Sequence, residues 1–118
     1  MKISSYRDLV AWQKSMDLVV SVYQLTEVFP KEDVFGLTSQ MRRAAVSLPS
    51  NIAEGRYRGT RKDFAHFLRI AFASGAELET QLEISSRLSR ISLIEYERMS
   101  NQLGEVMKML NVMISKLS

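Results

Sequence analysis

The sequence predicts an all-α protein: an antiparallel, up-down-up-down four-helix bundle with a left-handed supercoil, assembling as a homo-oligomer. Three observations predict it. Four long segments carry apolar residues at alternating spacings of three and four, the signature of helices with one buried face. Only five glycines and two prolines interrupt 118 residues. Strand-like alternation, internal repeats and low-complexity tracts are absent. The length suits one domain, 1–118, able to bury a core without staples.

Helix 1 is predicted over about 6–28. Leu9, Trp12, Met16, Val19, Val20 and Tyr23 share one face, read as the core face. A second stripe, Ala11, Ser15, Leu18, Val22, Leu25 and Phe29, lies about a third of a turn away. Phe29-Pro30 ends the helix, because proline disfavours α backbone in the residue before it.

Helix 2 is predicted over about 35–56, with Leu37, Met41, Ala44, Leu48 and Ile52 facing the core. Val46, Pro49 and Ala53 form a smaller apolar strip. Pro49 lies inside the helix, where a missing amide donor and a crowded Ala45 carbonyl predict a kink. Gly55 and Gly59 are read as bracketing the next turn.

Helix 3 is predicted over about 61–88, capped by Thr60 with Asp63 three residues on. Phe64, Phe67, Leu68, Ala71, Gly75, Leu78 and Leu82 form its core face, leaving Ile70, Phe72 and Ile84 elsewhere. Helix 4 is predicted over about 93–116 behind a Ser92-x-x-Glu95 capping box. Tyr96, Met99, Leu103, Val106, Leu110, Met113 and Leu117 make an unbroken heptad seam. Short joints between helices of matched length favour the up-and-down arrangement, and the 3.5-residue repeat gives its handedness.

A monomeric bundle uses one apolar stripe per helix, and helix 1 has two. Leu18, Val22, Leu25 and Phe29, together with Val46 and Pro49 on helix 2, are therefore the predicted oligomer interface. Each large side chain covered contributes about 1.5–3 kcal/mol before the costs of association. The alternative is that these residues shelter within their own chain. Periodicity does not fix the number of subunits.

The chain carries a net charge of +3. An up-and-down path collects Lys2, Arg7, Arg56, Arg58, Arg61, Lys62 and Lys116 at one end, against Asp8, Glu54 and Asp63. Seven basic residues against three acidic ones leave a local excess of four charges, above that of the whole chain. The opposite end cancels. Arg56, Tyr57, Arg58, Arg61 and Lys62 are the candidate nucleic-acid site, with Tyr57 available to stack on an unpaired base. The bland alternative is a solvated turn whose arginines pair with Glu54 or Asp63. Arg42 and Arg43 sit mid-helix and are read as bridging subunits.

Gln40, Arg43, Ser47, Asn51 and Glu54 recur at helical spacing. They line a functional groove, form a satisfied polar network against helix 3, for instance Arg43 with Glu77 or Glu79, or lie at a subunit contact; a structural role is the reading preferred. No catalytic constellation, cofactor motif or metal site is expected. There is no cysteine and one histidine, His66; the Glu-x-x-His pairs of a di-iron bundle are missing. The segment 54–59 lacks the Gly-Lys-Ser/Thr ending of a phosphate loop. No signal peptide is expected from the first residues, and no run approaches the length of a membrane span. A soluble cytoplasmic protein is the expectation.

The run 35–55, Phe35-Gly36-Leu37 through Met41-Arg42-Arg43-Ala44-Ala45 to Leu48-Pro49-Ser50-Asn51-Ile52-Ala53-Glu54-Gly55, resembles the family of proteins encoded in intervening sequences of bacterial 23S ribosomal RNA genes. Leu9-Val10-Ala11-Trp12-Gln13-Lys14, Phe29-Pro30, Asp63-Phe64, Phe67-Leu68 and Ala71-x-x-Ser74-x-x-Glu77-Leu78-Glu79-Thr80 extend the resemblance over nearly the whole chain. It implies a four-helix bundle, a ring-like homopentamer and an association with RNA. The accessory proteins of diversity-generating retroelements, which are basic pentamers that bind nucleic acid and a reverse transcriptase, look similar in fold, but this chain resembles the ribosomal intervening-sequence branch more closely. The family brings no catalytic residues. Two functions are thus in view: a non-enzymatic RNA-binding oligomer, or a protein-interaction scaffold without nucleic acid.

Overall fold

The computed structural model describes residues 5–118. Among them are four α-helices and no strand: α1 (Val10–Thr26), α2 (Leu37–Arg58), α3 (Arg61–Arg87) and α4 (Leu93–Leu117). Short 3-10 turns, Tyr6–Asp8 and Lys31–Asp33, precede α1 and α2. Each helix packs on its sequence neighbours and α1 also meets α4, while the diagonal pairs make no close backbone approach. The particle measures 44 × 25 × 21 Å.

Local chemistry sets the boundaries. Leu9 is extended (ψ 123°), which separates the Tyr6–Asp8 turn from α1 and delays the helix start. Thr60 caps α3 by accepting from the Asp63 amide at 3.1 Å. Ser92 and Glu95 exchange the two bonds of a capping box at 3.1 and 2.9 Å. The end of α3 closes with the Arg90 amide donating to the Ser85 carbonyl and the Ser89 amide to Ser86. This paired closure needs a left-handed residue, and Ser89 supplies it at φ 58°. α2 runs through Pro49 without interruption and reaches Arg58. Gly55 therefore lies inside the helix, and Gly59 alone, at φ 86°, makes the turn. Gly55 serves packing instead. A Cβ there would come within 2.6 Å of the Phe67 Cβ, so its absence lets α2 and α3 approach.

The core corrects the sequence reading of α1. Leu18, Val22, Leu25 and Phe29, expected at an oligomer interface, lie inside their own subunit at 0, 0, 5 and 8 % exposure. Pro49, also expected there, is buried; only Val46, at 39 %, reaches the surface. Of the stripe expected in the core, Leu9 is buried and Trp12 and Val19 are half-buried against the core, but Met16, Val20 and Tyr23 turn outward at 40, 54 and 42 % exposure. Periodicity identifies which residues share a face but is silent on which face turns inward. Here the inward face carries small Ala11 and Ser15, which let α1 sit close to its neighbours. The Ser15 hydroxyl is satisfied by donating to the Ala11 carbonyl at 2.6 Å.

The other helices follow their predicted faces. Met41, Ala44, Leu48 and Ile52 of α2 are buried, with Leu37 half-buried. Leu68, Ala71, Gly75, Leu78 and Leu82 of α3 are buried, whereas Phe64 and Phe67 are half-buried near the turn. On α4, Met99, Leu103, Val106 and Leu110 are buried, and Tyr96, Met113 and Leu117 flank them half-buried. The Tyr96 hydroxyl donates to Glu83 at 3.0 Å, joining α4 to α3. Hydrogen bonds from Arg87 and then Tyr96 hold the Glu83 carboxyl below its usual range.

Candidate nucleic-acid interface

The last turn of α2, the Gly59-Thr60 turn and the first turn of α3 bring Arg56, Tyr57, Arg58, Arg61 and Lys62 together. The left-handed Gly59 lets two long helices meet in so few residues that their terminal charges crowd one another. Other parts of the chain converge here. Ser5 and Tyr6 line a cleft of about 250 Å³ with Arg56, Tyr57 and Gly59. The Arg61 guanidinium donates to the Lys116 carbonyl at 2.8 Å, which brings the C-terminal turn of α4 alongside. Arg7 stands over the Tyr6 and Trp12 rings at 5.6 and 5.5 Å. Lys2 lies outside the described residues.

These groups are engaged to different degrees. Tyr57 is 87 % exposed, with its ring in solvent. Arg58 pairs with Glu54 at 2.9 Å one turn back and stands over the Phe67 ring at 4.9 Å. An exposed pair of this spacing is worth only about 0.3–0.5 kcal/mol, so a phosphate can compete for the guanidinium. Arg61 has one bond to a carbonyl, and Lys62 is exposed with no ion-pair partner among the described residues. Arg56 is half-buried beside the cleft. Thr60 occupies the Asp63 amide, so that donor at the start of α3 is already used.

The polar run on α2 divides in two. Ser47 and Ser74 hydroxyls meet at 2.7 Å, and the Asn51 amide donates to the Ser47 carbonyl and hydroxyl, each at 2.8 Å. These residues join α2 to α3 structurally. Arg42 works within the chain: its guanidinium donates to the Thr26 hydroxyl at 2.9 Å and stacks on Tyr23 at 4.4 Å, tying α2 to α1. Gln40 and Arg43 instead line an open groove between α2 and α3, and Arg43 makes no ion pair with Glu77 or Glu79. A second groove, between α1 and α2, has Thr38 in its wall. The hydroxyl of Thr38 and the carbonyl oxygen of Gln81 are buried side-chain atoms with no hydrogen-bond partner. Neither is foreseeable from the helical pattern, in which a buried polar group looks like a surface one.

The opposite end of the molecule has another character. Arg90 ties the connection before α2 to the one before α4, binding Asp33 at 2.7 Å and Glu32 at 3.7 Å. Arg87 is held by Glu83, and Glu95 by its capping box. Around these internally paired charges Val28, Phe35, Leu93 and Ile94 stand 67–97 % exposed. Among the described residues no three His, Asp or Glu side chains converge as for a metal, and no helix is long and apolar enough to cross a membrane.

Residues 7–112 match the family model described as 23S rRNA-intervening sequence protein. A crystal structure from Bacteroides thetaiotaomicron VPI-5482, of a protein with unknown function from the S23 ribosomal protein family, is similar at TM-score 0.83 and 28 % identity. The likeness covers 90 % of this chain and 96 % of that one. No curated protein matches the sequence. With its family match covering the first three helices and most of the fourth, the chain belongs to the 23S rRNA-intervening sequence protein family.

Proposed function

We propose that this chain is a non-enzymatic, homo-oligomeric, antiparallel bundle protein that binds RNA through the surface at the α2–α3 turn. The observation that carries the reading is Tyr57, an aromatic ring 87 % exposed among Arg56, Arg58, Arg61 and Lys62. Cations neutralise phosphates and the ring stacks on a base; together they suit a single-stranded loop better than a uniform duplex. The antiparallel arrangement is supported by contacts between helix ends: Ser85 near the end of α3 with Met41 near the start of α2, and Arg61 with Lys116. Self-assembly is supported by the outward apolar residues of α1 and by Val46. Five subunits follow from the family resemblance, and a ring would repeat the basic surface and multiply its avidity. On this reading the protein works in the cytoplasm, alongside its RNA.

Fluorescence anisotropy with a labelled RNA hairpin bearing a single-stranded loop tests the site. The wild-type protein binds at low salt and weakens steeply as salt rises. Replacing Arg56, Arg58, Arg61 and Lys62 with Gln flattens the plot of log K against log salt by about 2.8 to 3.6, at roughly 0.7–0.9 per lost phosphate contact. Unchanged binding by that variant removes the assigned surface; absence of wild-type binding at low salt removes RNA as the ligand. The scaffold reading has one observation in its favour: the exposed Val28, Phe35, Leu93 and Ile94, apolar and amid paired charges. It predicts a stoichiometric protein partner and no affinity for the hairpin.

A further inference from the structure

We propose that the groove between α2 and α3 receives the outer ridge of α1 from a second copy of this chain, joining copies head to tail. The inference rests on the homo-oligomer reading above and specifies its contact.

The groove, of about 710 Å³, is incomplete in the isolated subunit. Gln81 lines it at 5 % exposure, its carbonyl oxygen without a donor. A buried polar atom left unpaired costs about 1–3 kcal/mol, and native proteins seldom tolerate it. The amide is the end of a soft torsion, so a small rotation brings it to a donor entering the groove. The rim adds Arg43, a cation with no ion-pair partner among the described residues, and Glu77, an anion in the same state. Short Ser74 and Thr80 leave room for an inserted helix.

The outer face of α1 has complementary chemistry. Met16, Val20 and Tyr23 stand at i, i+4 and i+7, a spacing that presents one continuous ridge to a groove. Asp17 and Glu27 flank it, both exposed and without ion pairs among the described residues, suited to Arg43. Gln24 and the Tyr23 hydroxyl bring hydrogen-bond donors with no partner among the described residues, suited to Gln81 and Glu77. Ridge and groove are different surfaces of one chain, so the contact is heterologous and repeats until it closes as a ring. Covering the ridge accounts for the apolar residues that α1 leaves outside the core.

Three single substitutions test it, each at an exposed side chain so that the fold is kept, as checked by circular dichroism: Val20→Glu on the ridge, Thr80→Arg in the groove and Val112→Glu on α4, away from both. Solution mass is read by sedimentation velocity. The expected result is single chains for Val20→Glu and for Thr80→Arg, and wild-type mass for Val112→Glu. Mixing the first two gives pairs containing one of each, because each pair keeps one intact ridge and one intact groove. A wild-type monomer would sink the homo-oligomer reading itself. An oligomer that survives Val20→Glu or Thr80→Arg, or that Val112→Glu disrupts, overturns only the contact proposed. A mixture that stays as single chains overturns the head-to-tail arrangement.

Discussion

Ser89 stands at φ 58°, the one left-handed residue besides glycine among the described residues. An L side chain there costs roughly 1–2 kcal/mol, offset in part by the carbonyls it lets the end of α3 satisfy. Ser89→Gly relieves that strain and is expected to stabilise the protein by about 0.5–1 kcal/mol, after allowing for the freer unfolded chain. Gly59→Ala, at φ 86°, is expected to destabilise by a similar amount although nothing crowds the new methyl. Thermal denaturation checks both; a less stable Ser89→Gly protein would show that the serine makes a contribution the backbone does not explain. Single residues were legible in the sequence where their work is local. The Thr60 cap and the Ser92/Glu95 box were readable because donor and acceptor lie three residues apart. Gly55 was not, since its partner is Phe67 across a turn, and a glycine near a helix end reads equally as a stop.

At the scale of the element, α1 is the instructive case. Both of its apolar stripes have helical spacing, and spacing alone does not say which of the two turns inward. Packing decides it: Ala11 and Ser15 fit where α1 approaches its neighbours, and Tyr23 is drawn outward to Arg42. The energetic contrast is large. Leu18→Ala, at a site with 0 % exposure, is expected to cost about 2–5 kcal/mol, whereas Val20→Ala at 54 % exposure stays within about 0.5 kcal/mol for the isolated subunit. Urea denaturation of both variants in the Thr80→Arg background, where single chains are expected, separates the two arrangements, and equal costs there would contradict the buried face described here. α2, α3 and α4 were legible because each has one dominant stripe. The candidate site was legible in part: the cluster 56–62 is contiguous in sequence, but its link to the end of α4 through Arg61 and Lys116 spans 55 residues.

The whole molecule has two unlike ends and a sticky flank. One end gathers arginines around an exposed tyrosine; the other ties Arg87 and Arg90 to carboxylates and exposes aliphatic and aromatic side chains. Between them, the outer face of α1 and the α2–α3 groove leave apolar surface and an unpaired buried oxygen that a lone subunit cannot use. This asymmetry connects sequence to proposed function: self-association of the flank would present many basic ends to one polyanion, turning weak exposed contacts into a useful affinity. The particle mass by multi-angle light scattering tests that claim most directly. The account predicts an integral multiple of 13.5 kDa, about five-fold, at micromolar concentration; a compact particle of one chain's mass, unchanged as concentration rises, would contradict it.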